Sequence, residues 1–359
     1  MTRLDLLSTD VEDSLRDTVR SLLTARCTPD RVTAVYDGDD SVAAPLWQAL
    51  VGELGLGGLL VPEEYGGAGA SAREAAVVLS ELGRAAAPVP FLTSAVVATL
   101  AVLPSGDSDL LGGLASGSVT AALVVPLTAG PSFSPVARAS AGRVTGAVPV
   151  VAGALEADVL LVPASDGLVA VDPASSGVVV SPVVSLDMTR QLADVAFEGA
   201  SGRLLPVGPD AVGAALQVGA ALLASEQVGI ASHCLEETVA YLKERRQFGR
   251  VLASYQALKH RLADLFIQVS SAEAAASYAA AVAAAADPDL PVATAVAQAY
   301  CSSVAVRAAE EAVQLHGGIG MTWEHPTHLY LKRAKADQLA FGSPDQHLSA
   351  LAELVDLPA

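Results

Sequence analysis

Hydrophobic and polar positions along this chain fall into three textures. Up to about Ser118 the pattern is mainly helical. Asp10, Glu12 and Asp13 place acids where a first helical turn favours negative charge. Pro45 opens a further helix through Leu50, in the turn where proline is tolerated. Residues 54–69 are too glycine-rich for a helix and read as an ordered loop. Ser71 with Glu74 three residues on is a capping-box signature, starting a helix that carries Arg84 and stops before Pro88. The texture then changes. Short valine-rich runs at 119–125, 144–151, 158–162, 168–171, 178–184 and 192–197 alternate with turn residues, which predicts an antiparallel sheet or barrel. After Pro209 the helical period returns. Leu216, Leu223 and Ile230 fall seven apart, as do Val228, Leu235 and Leu242, so one helix is apolar on two stripes and belongs at the centre of a bundle. A helix over 210–247 would be about 55 Å long, with Gly249 ending it. Two more are expected over 255–286 and 292–315, the first of them alanine-rich, which suits close helix packing without chemistry. The fold class is α+β, in three parts: an all-α domain (1–118), a β domain (119–205) and a helical bundle (206–359).

Composition narrows the function classes. Of 359 residues, 52% are hydrophobic and 17% charged, ample for a sizeable core and unlike a disordered chain. Acids outnumber bases 39 to 21, a net charge of -18 that repels phosphate backbones and anionic lipid. Nucleic acid and membrane are therefore not expected as partners, and any anionic ligand must be held by a few local cations. Cys27, Cys234 and Cys301 are too scattered for a disulfide framework or a metal site. The first residues carry acids where a signal peptide carries a basic stretch, and the uncharged runs at 85–106 and 110–137 are broken by prolines and glycines. A cytoplasmic protein is expected.

Two clusters could carry chemistry. The first is Arg245-Arg246-Gln247-Phe248-Gly249 with Gln256 and Lys259-His260, between two long helices. Arginines there can neutralise helix C-terminal carbonyls, or present a guanidinium fork to a phosphate. The second is Gln314-Leu315-His316-Gly317-Gly318-Ile319-Gly320-Met321-Thr322-Trp323-Glu324, where glycines after a helix bare backbone N–H groups. His316, His325 and His328 lack an acidic partner at a set spacing, so no metal is expected.

Taken together, these motifs resemble the acyl-CoA dehydrogenase family. Arg-x-Gln-Phe-Gly is followed by Gln256, then by Gln-x-His-Gly-Gly-Ile-Gly-x-Thr-Trp-Glu and His328-Leu329-Tyr330-Leu331-Lys332-Arg333-Ala334. Val61-Pro62-Glu63-Glu64-Tyr65-Gly66-Gly67 looks like the N-terminal loop of that family. The resemblance covers essentially the whole chain. It implies a C-terminal four-helix bundle and an FAD-dependent oxidation of an acyl-CoA, in which a base removes the α-proton and the β-hydrogen leaves as hydride to the flavin. It also implies a flavin lying between subunits, its ADP portion held by the neighbour. The positions matching that clamp are Arg245, Phe248, Gln256, Gln314, Gly317 and Gly318, all present.

The other half of the site departs from the family. Phe341, in Ala340-Phe341-Gly342-Ser343, stands where the catalytic glutamate is expected, and Gly219 matches the alternative position for that base on the long helix. Ala220 matches an arginine that contacts the CoA tail in some relatives. Val150-Val151-Ala152 matches the segment backing the flavin ring, and 126–132 retain little of the Thr-Glu-Pro-x-x-Gly-Ser-Asp loop. Phenylalanine cannot take a proton, so no catalytic residue is assigned. Glu226 lies two turns from Gly219, about 10 Å along the axis, and reads more simply as a polar contact inside the bundle. Asp337 and Asp345, flanking Phe341, read as solvated acids. Losses gathered on one side of the cofactor imply a heteromer, as in actinobacterial family members with two unlike subunits that act on steroid side chains. The expected partners are a homologous subunit carrying the glutamate, an acyl-CoA substrate and, by family resemblance, an electron-transferring flavoprotein. The expected assembly is a tetramer of two unlike pairs with two flavins. The alternatives are a self-sufficient enzyme with a relocated base and a flavin-free assembly subunit.

Overall fold

The computed structural model describes residues 4–39, 41–140, 142–164, 167–208 and 210–357. Pro209, from which the sequence predicts the return to helix, lies outside them. Helices α1 (Asp10–Arg26), α2 (Pro29–Ala34), α3 (Ala43–Leu54) and α4 (Ala72–Arg84) come first. The Ser71–Glu74 capping box forms, with Ser71 N–H donating to the Glu74 carboxylate at 2.9 Å. A π-helical stretch, Phe91–Ala98, runs into α5 (Thr99–Val102), and α6 (Ser108–Ser116) follows. So the uncharged run after Arg84 is helical and buried in spite of its prolines.

Eight strands come next: β1 (Ala121–Leu123), β2 (Arg138–Ser140), β3 (Arg143–Ala152), β4 (Val159–Ala164), β5 (Gly167–Val171), β6 (Val178–Val183), β7 (Leu192–Ser201) and β8 (Arg203–Leu205). They form two four-stranded sheets, β1-β4-β5-β8 and β2-β3-β7-β6, not a closed barrel. All pairs are antiparallel except β1 with β4. The short β2 and β8 were not foreseen, because Arg138–Ser140 and Arg203–Leu205 lack a valine-rich run. The first sheet is buried on both faces. Leu160, Val162 and Val169 point into a core shared with Val148, Val195 and Phe197 of the second sheet, while Leu161 and Leu168 join the helical core. That two-sided burial explains why β4 reads as continuous apolar residues without a polar alternation.

The remaining helices are α7 (Ala211–Glu244), α8 (Gln256–Ala284), α9 (Leu290–His316), α10 (Thr327–Leu339) and α11 (Pro344–Leu354). Helix α7 is long and apolar enough to cross a membrane, yet 83% of its most apolar window is buried inside the protein. It is the core helix that its two apolar stripes predict. Its crossing with α4 depends on glycine. A Cβ on Gly229 would stand 2.0 Å from the Ser80 carbonyl oxygen, and one on Gly83 2.2 Å from that of Glu226. The end of α7 differs from expectation. The helix stops at Glu244, and β9 (Arg246–Gln247) pairs with β10 (Arg250–Val251) in a hairpin. Phe248 and Gly249 form its tip, both left-handed at φ 53° and 78°. Gly249 therefore makes a hairpin turn and does not cap the helix; the two-residue turn needs positive φ at both positions.

Candidate functional site

One end of the bundle gathers the clamp residues. Tyr241, one turn before the end of α7, stacks on His316 at the end of α9, with ring centroids 4.3 Å apart, and its hydroxyl donates to the His316 carbonyl at 3.3 Å. Arg261 near the start of α8 pairs with Glu311 near the end of α9 at 2.6 Å. These ties hold three helix ends together. They place Arg245 at the C-cap of α7, Phe248 at the tip of the hairpin, Gln256 at the first residue of α8, Gln314 in the last turn of α9, and Gly317 and Gly318 just after it, all exposed. Phe248 is 88% exposed, far from the usual state of an aromatic side chain. Gly317 has φ 65° and ψ -139°, a conformation open essentially to glycine, with no atom within 4 Å of where a Cβ would stand. Among the described ion pairs, none involves Lys243, Arg245, Arg246, Arg250 or Lys259. Exposed cations without an ion-pair partner, beside a turn free of side chains, can take up a diphosphate.

Elsewhere, Phe341, Ala152, Pro126 and Leu127, from three of the segments that depart from the family pattern, line one small void. Phe341 is 5% exposed, and its N–H donates to the Leu127 carbonyl at 2.9 Å. Leu127 N–H in turn reaches the Val150 carbonyl at 3.0 Å, and Pro126 bridges Val151. The Phe341 ring lies against Gly219, where a Cβ would be 3.7 Å from Cε2 and Cζ. Thus the two positions matched to the base by resemblance lie against each other, and neither holds a carboxylate. His347 Nε2 donates to the Phe341 carbonyl at 3.1 Å and fixes its left-handed backbone, φ 56°. The void lined by Pro126, Leu127, Ala152, Arg190 and Phe341 measures about 20 Å³. That is room for about one water, whereas ligand pockets run to several hundred Å³. A void of that size holds no fused ring system.

The acids near the void are committed to structure. Glu226 is 1% exposed, and its carboxylate accepts from Arg190 Nη2 at 2.8 Å and Arg333 Nε at 2.7 Å. Burial pushes its pKa up, but the two guanidiniums outweigh this and hold it below the usual carboxylate value. Asp345 is exposed in the first turn of α11, as expected. Asp337 is not the solvated acid expected from sequence: it is fully buried, one turn before Phe341, and accepts from Arg190 Nη1 at 2.8 Å. Burial and the neighbouring Glu226 charge push its pKa up to about 7. Arg333 also donates to Thr189 Oγ1 at 2.8 Å and pairs with Asp187 at 3.3 Å. Tyr36 reaches the same Asp187 at 3.3 Å. Sequence reasoning missed Arg190, Asp187 and Arg333 as a cluster. The only available signal was an arginine inside the Lys332-Arg333-Ala334 motif. His316 and His325 do approach, with ring centroids 4.3 Å apart, but no group of three or more potential metal ligands forms among the described residues.

Comparison with known proteins identifies the family. Residues 9–109 match the family model for the acyl-CoA dehydrogenase N-terminal domain, and 208–355 that for the acyl-CoA dehydrogenase C-terminal domain. The chain belongs to the acyl-CoA dehydrogenase family of oxidoreductases. It is 36% identical over 337 residues to acyl-CoA dehydrogenase IpdE2 of Mycolicibacterium smegmatis, covering 94% of this chain and 96% of that one. The Mycobacterium tuberculosis IpdE2 is 38% identical over 339 residues, covering 94% and 95%. Among solved structures, the Tcur3481-Tcur3483 steroid acyl-CoA dehydrogenase matches at 30% identity and a TM-score of 0.85, covering 97% of this chain and 98% of that one. The ChsE4-ChsE5 complex from Mycobacterium tuberculosis matches at 26% and 0.88, covering 99% and 100%.

Proposed function

We propose that this chain is the base-lacking subunit of a heteromeric acyl-CoA dehydrogenase, completing the FAD site of a homologous partner. The observation that carries this reading is the Phe341 ring packed on Gly219, which leaves no carboxylate at either position matched to the base, while the clamp residues stay open to solvent. Arg245 would pair with the pyrophosphate, and the exposed, side-chain-free Gly317-Gly318 turn would let it approach the backbone closely. Phe248 would pack against the nucleotide, and Gln256 and Gln314 would orient it. When bound, the flavin supplies the hydride acceptor for the β-hydrogen of the acyl-CoA. The partner supplies the carboxylate base and the acyl pocket. Similarity to the Tcur3481-Tcur3483 steroid enzyme and to the ChsE4-ChsE5 complex supports an unlike partner, and the assembly proposed is a tetramer of two unlike pairs with two flavins. The same similarity favours a steroid-derived acyl-CoA, and family resemblance favours an electron-transferring flavoprotein as acceptor. The reaction would take place in the cytoplasm.

A self-sufficient enzyme is disfavoured by Glu226, whose oxygens are held by two arginines and cannot reach a substrate. The test is flavin content. The chain expressed alone should be colourless, and co-expressed with the homologous glutamate-bearing subunit it should yield one flavin per two chains. A fully flavinated homotetramer made from this chain alone would overturn the proposal. Arg245→Ala should strip most of the flavin from the complex, each lost charge-assisted hydrogen bond being worth about 1.5–3 kcal/mol. Undiminished flavin in that variant would instead favour a flavin-free assembly role for this subunit.

A further inference from the structure

The turn that bears Gly317 and Gly318 continues into a second exposed feature that the nucleotide clamp does not use. Met321 is 82% exposed and Trp323 64% exposed. The Trp323 indole is nonetheless held firmly. Lys332 Nζ sits 3.8 Å from its ring centroid and 4.1 Å from that of Tyr36, so one ammonium bridges two aromatic faces. The His328 ring meets Trp323 edge-on at 4.6 Å, and Tyr36 does so at 5.9 Å. A cation over an aromatic face and two edge contacts fix the rotamer, each by a modest amount. A large apolar side chain held in one orientation yet open to water has already met the ordering cost of binding.

The position of this patch says what covers it. His325 lies between the clamp and the patch: its ring is 6.5 Å from Tyr241, and His328 follows on the next turn toward Trp323 and Tyr36. Tyr36 belongs to the N-terminal helical region, so the patch extends the clamp surface toward that region. A nucleotide shared between two chains requires them to meet beyond it, because contacts around a central anchor must exclude water. Tryptophan, methionine and arginine are the residues enriched where protein surfaces meet. Resting on the heteromeric reading above, we propose that Trp323 and Met321 are anchors for the unlike subunit, docking its polypeptide beside the shared nucleotide.

The chain has two tryptophans, and Trp47 is only 6% exposed, so they can be told apart. Label this chain alone with 5-fluorotryptophan, add the unlabelled glutamate-bearing subunit, and record the fluorine spectrum. The Trp323 resonance should shift and lose its solvent isotope effect, while the Trp47 resonance stays. Trp323→Ala and Met321→Ala, the second of which leaves the Lys332 cage intact, should each weaken association at least tenfold. Trp323→Phe should recover most of the loss. A complex that forms with unchanged affinity in both alanine variants and an unmoved Trp323 resonance overturns this docking site and leaves the heteromer standing. If FAD alone moves the resonance fully, the indole serves the adenine and the proposal fails. If no complex forms at all, the heteromeric reading falls and the docking site with it.

Discussion

Asp337 shares its buried site with Glu226 and Asp187, and only Arg190 and Arg333 are there to balance three carboxylates. Its Oδ2 has no hydrogen-bond partner, and neither has the nearby Gln227 Oε1. One proton relieves the excess charge, which is why the Asp337 pKa rises from 3.8 to about 7. The folded state then binds this proton more tightly than the unfolded chain does. The stabilisation is complete below about pH 3.8 and is lost as pH rises toward 7. Burial lowers the pKa of His233, His316, His325, His328 and His347, and these add stability as pH rises through the same window, so the Asp337 contribution is read as a difference between two proteins. The Tm of Asp337→Asn minus that of the parent should therefore rise between pH 4.5 and 7.5, with the slope of about one proton. Parallel Tm curves for the two proteins would show Asp337 ionised throughout. None of this was legible in the sequence, where Asp337 is one acid among 39. Its burial depends on Arg190 and Glu226, both more than a hundred positions away.

At the scale of elements, the crossing of α4 on α7 tests whether glycine sets the helix separation. Gly229→Ala puts a methyl 2.0 Å from the Ser80 backbone oxygen, which no rotamer can avoid. Overpacking of this kind costs about 1–3 kcal/mol, and here, against backbone, at least the upper part of that range. Urea unfolding should show a lowered midpoint, and an unchanged midpoint would mean that the crossing is loose. Most elements were legible, because 3.6-residue and two-residue periods each leave their own mark on where apolar residues fall. The Arg246–Val251 hairpin was hidden. Its strands are two residues long, too short for any period to register.

Across the whole molecule, the ion cluster joins three regions: Tyr36 and the Ala87 carbonyl from the N-terminal helices, Asp187 to Arg190 before β7, and Glu226 with Arg333 and Asp337 from the bundle. Arg190→Leu leaves Asp337 without its closest cation and Glu226 with only one. It should cost about 3–5 kcal/mol, as expected when one partner of a buried pair is removed. Arg26→Ala, which breaks an ion pair whose side chains are 44% and 52% exposed, should cost less than about 1 kcal/mol. Equal losses in chemical denaturation would mean that the buried cluster is not a joint.

The sequence by itself determined the order of helices, sheets and bundle, and the survival of Arg245, Phe248, Gln256, Gln314, Gly317 and Gly318. Periodicity and short motifs are local properties, written in neighbouring residues. Only the tertiary structure decided that Phe341 closes on Gly219, that Glu226 is bound by arginines, and that Asp337 is buried. Those outcomes depend on contacts between segments far apart in the chain, and no local pattern encodes them.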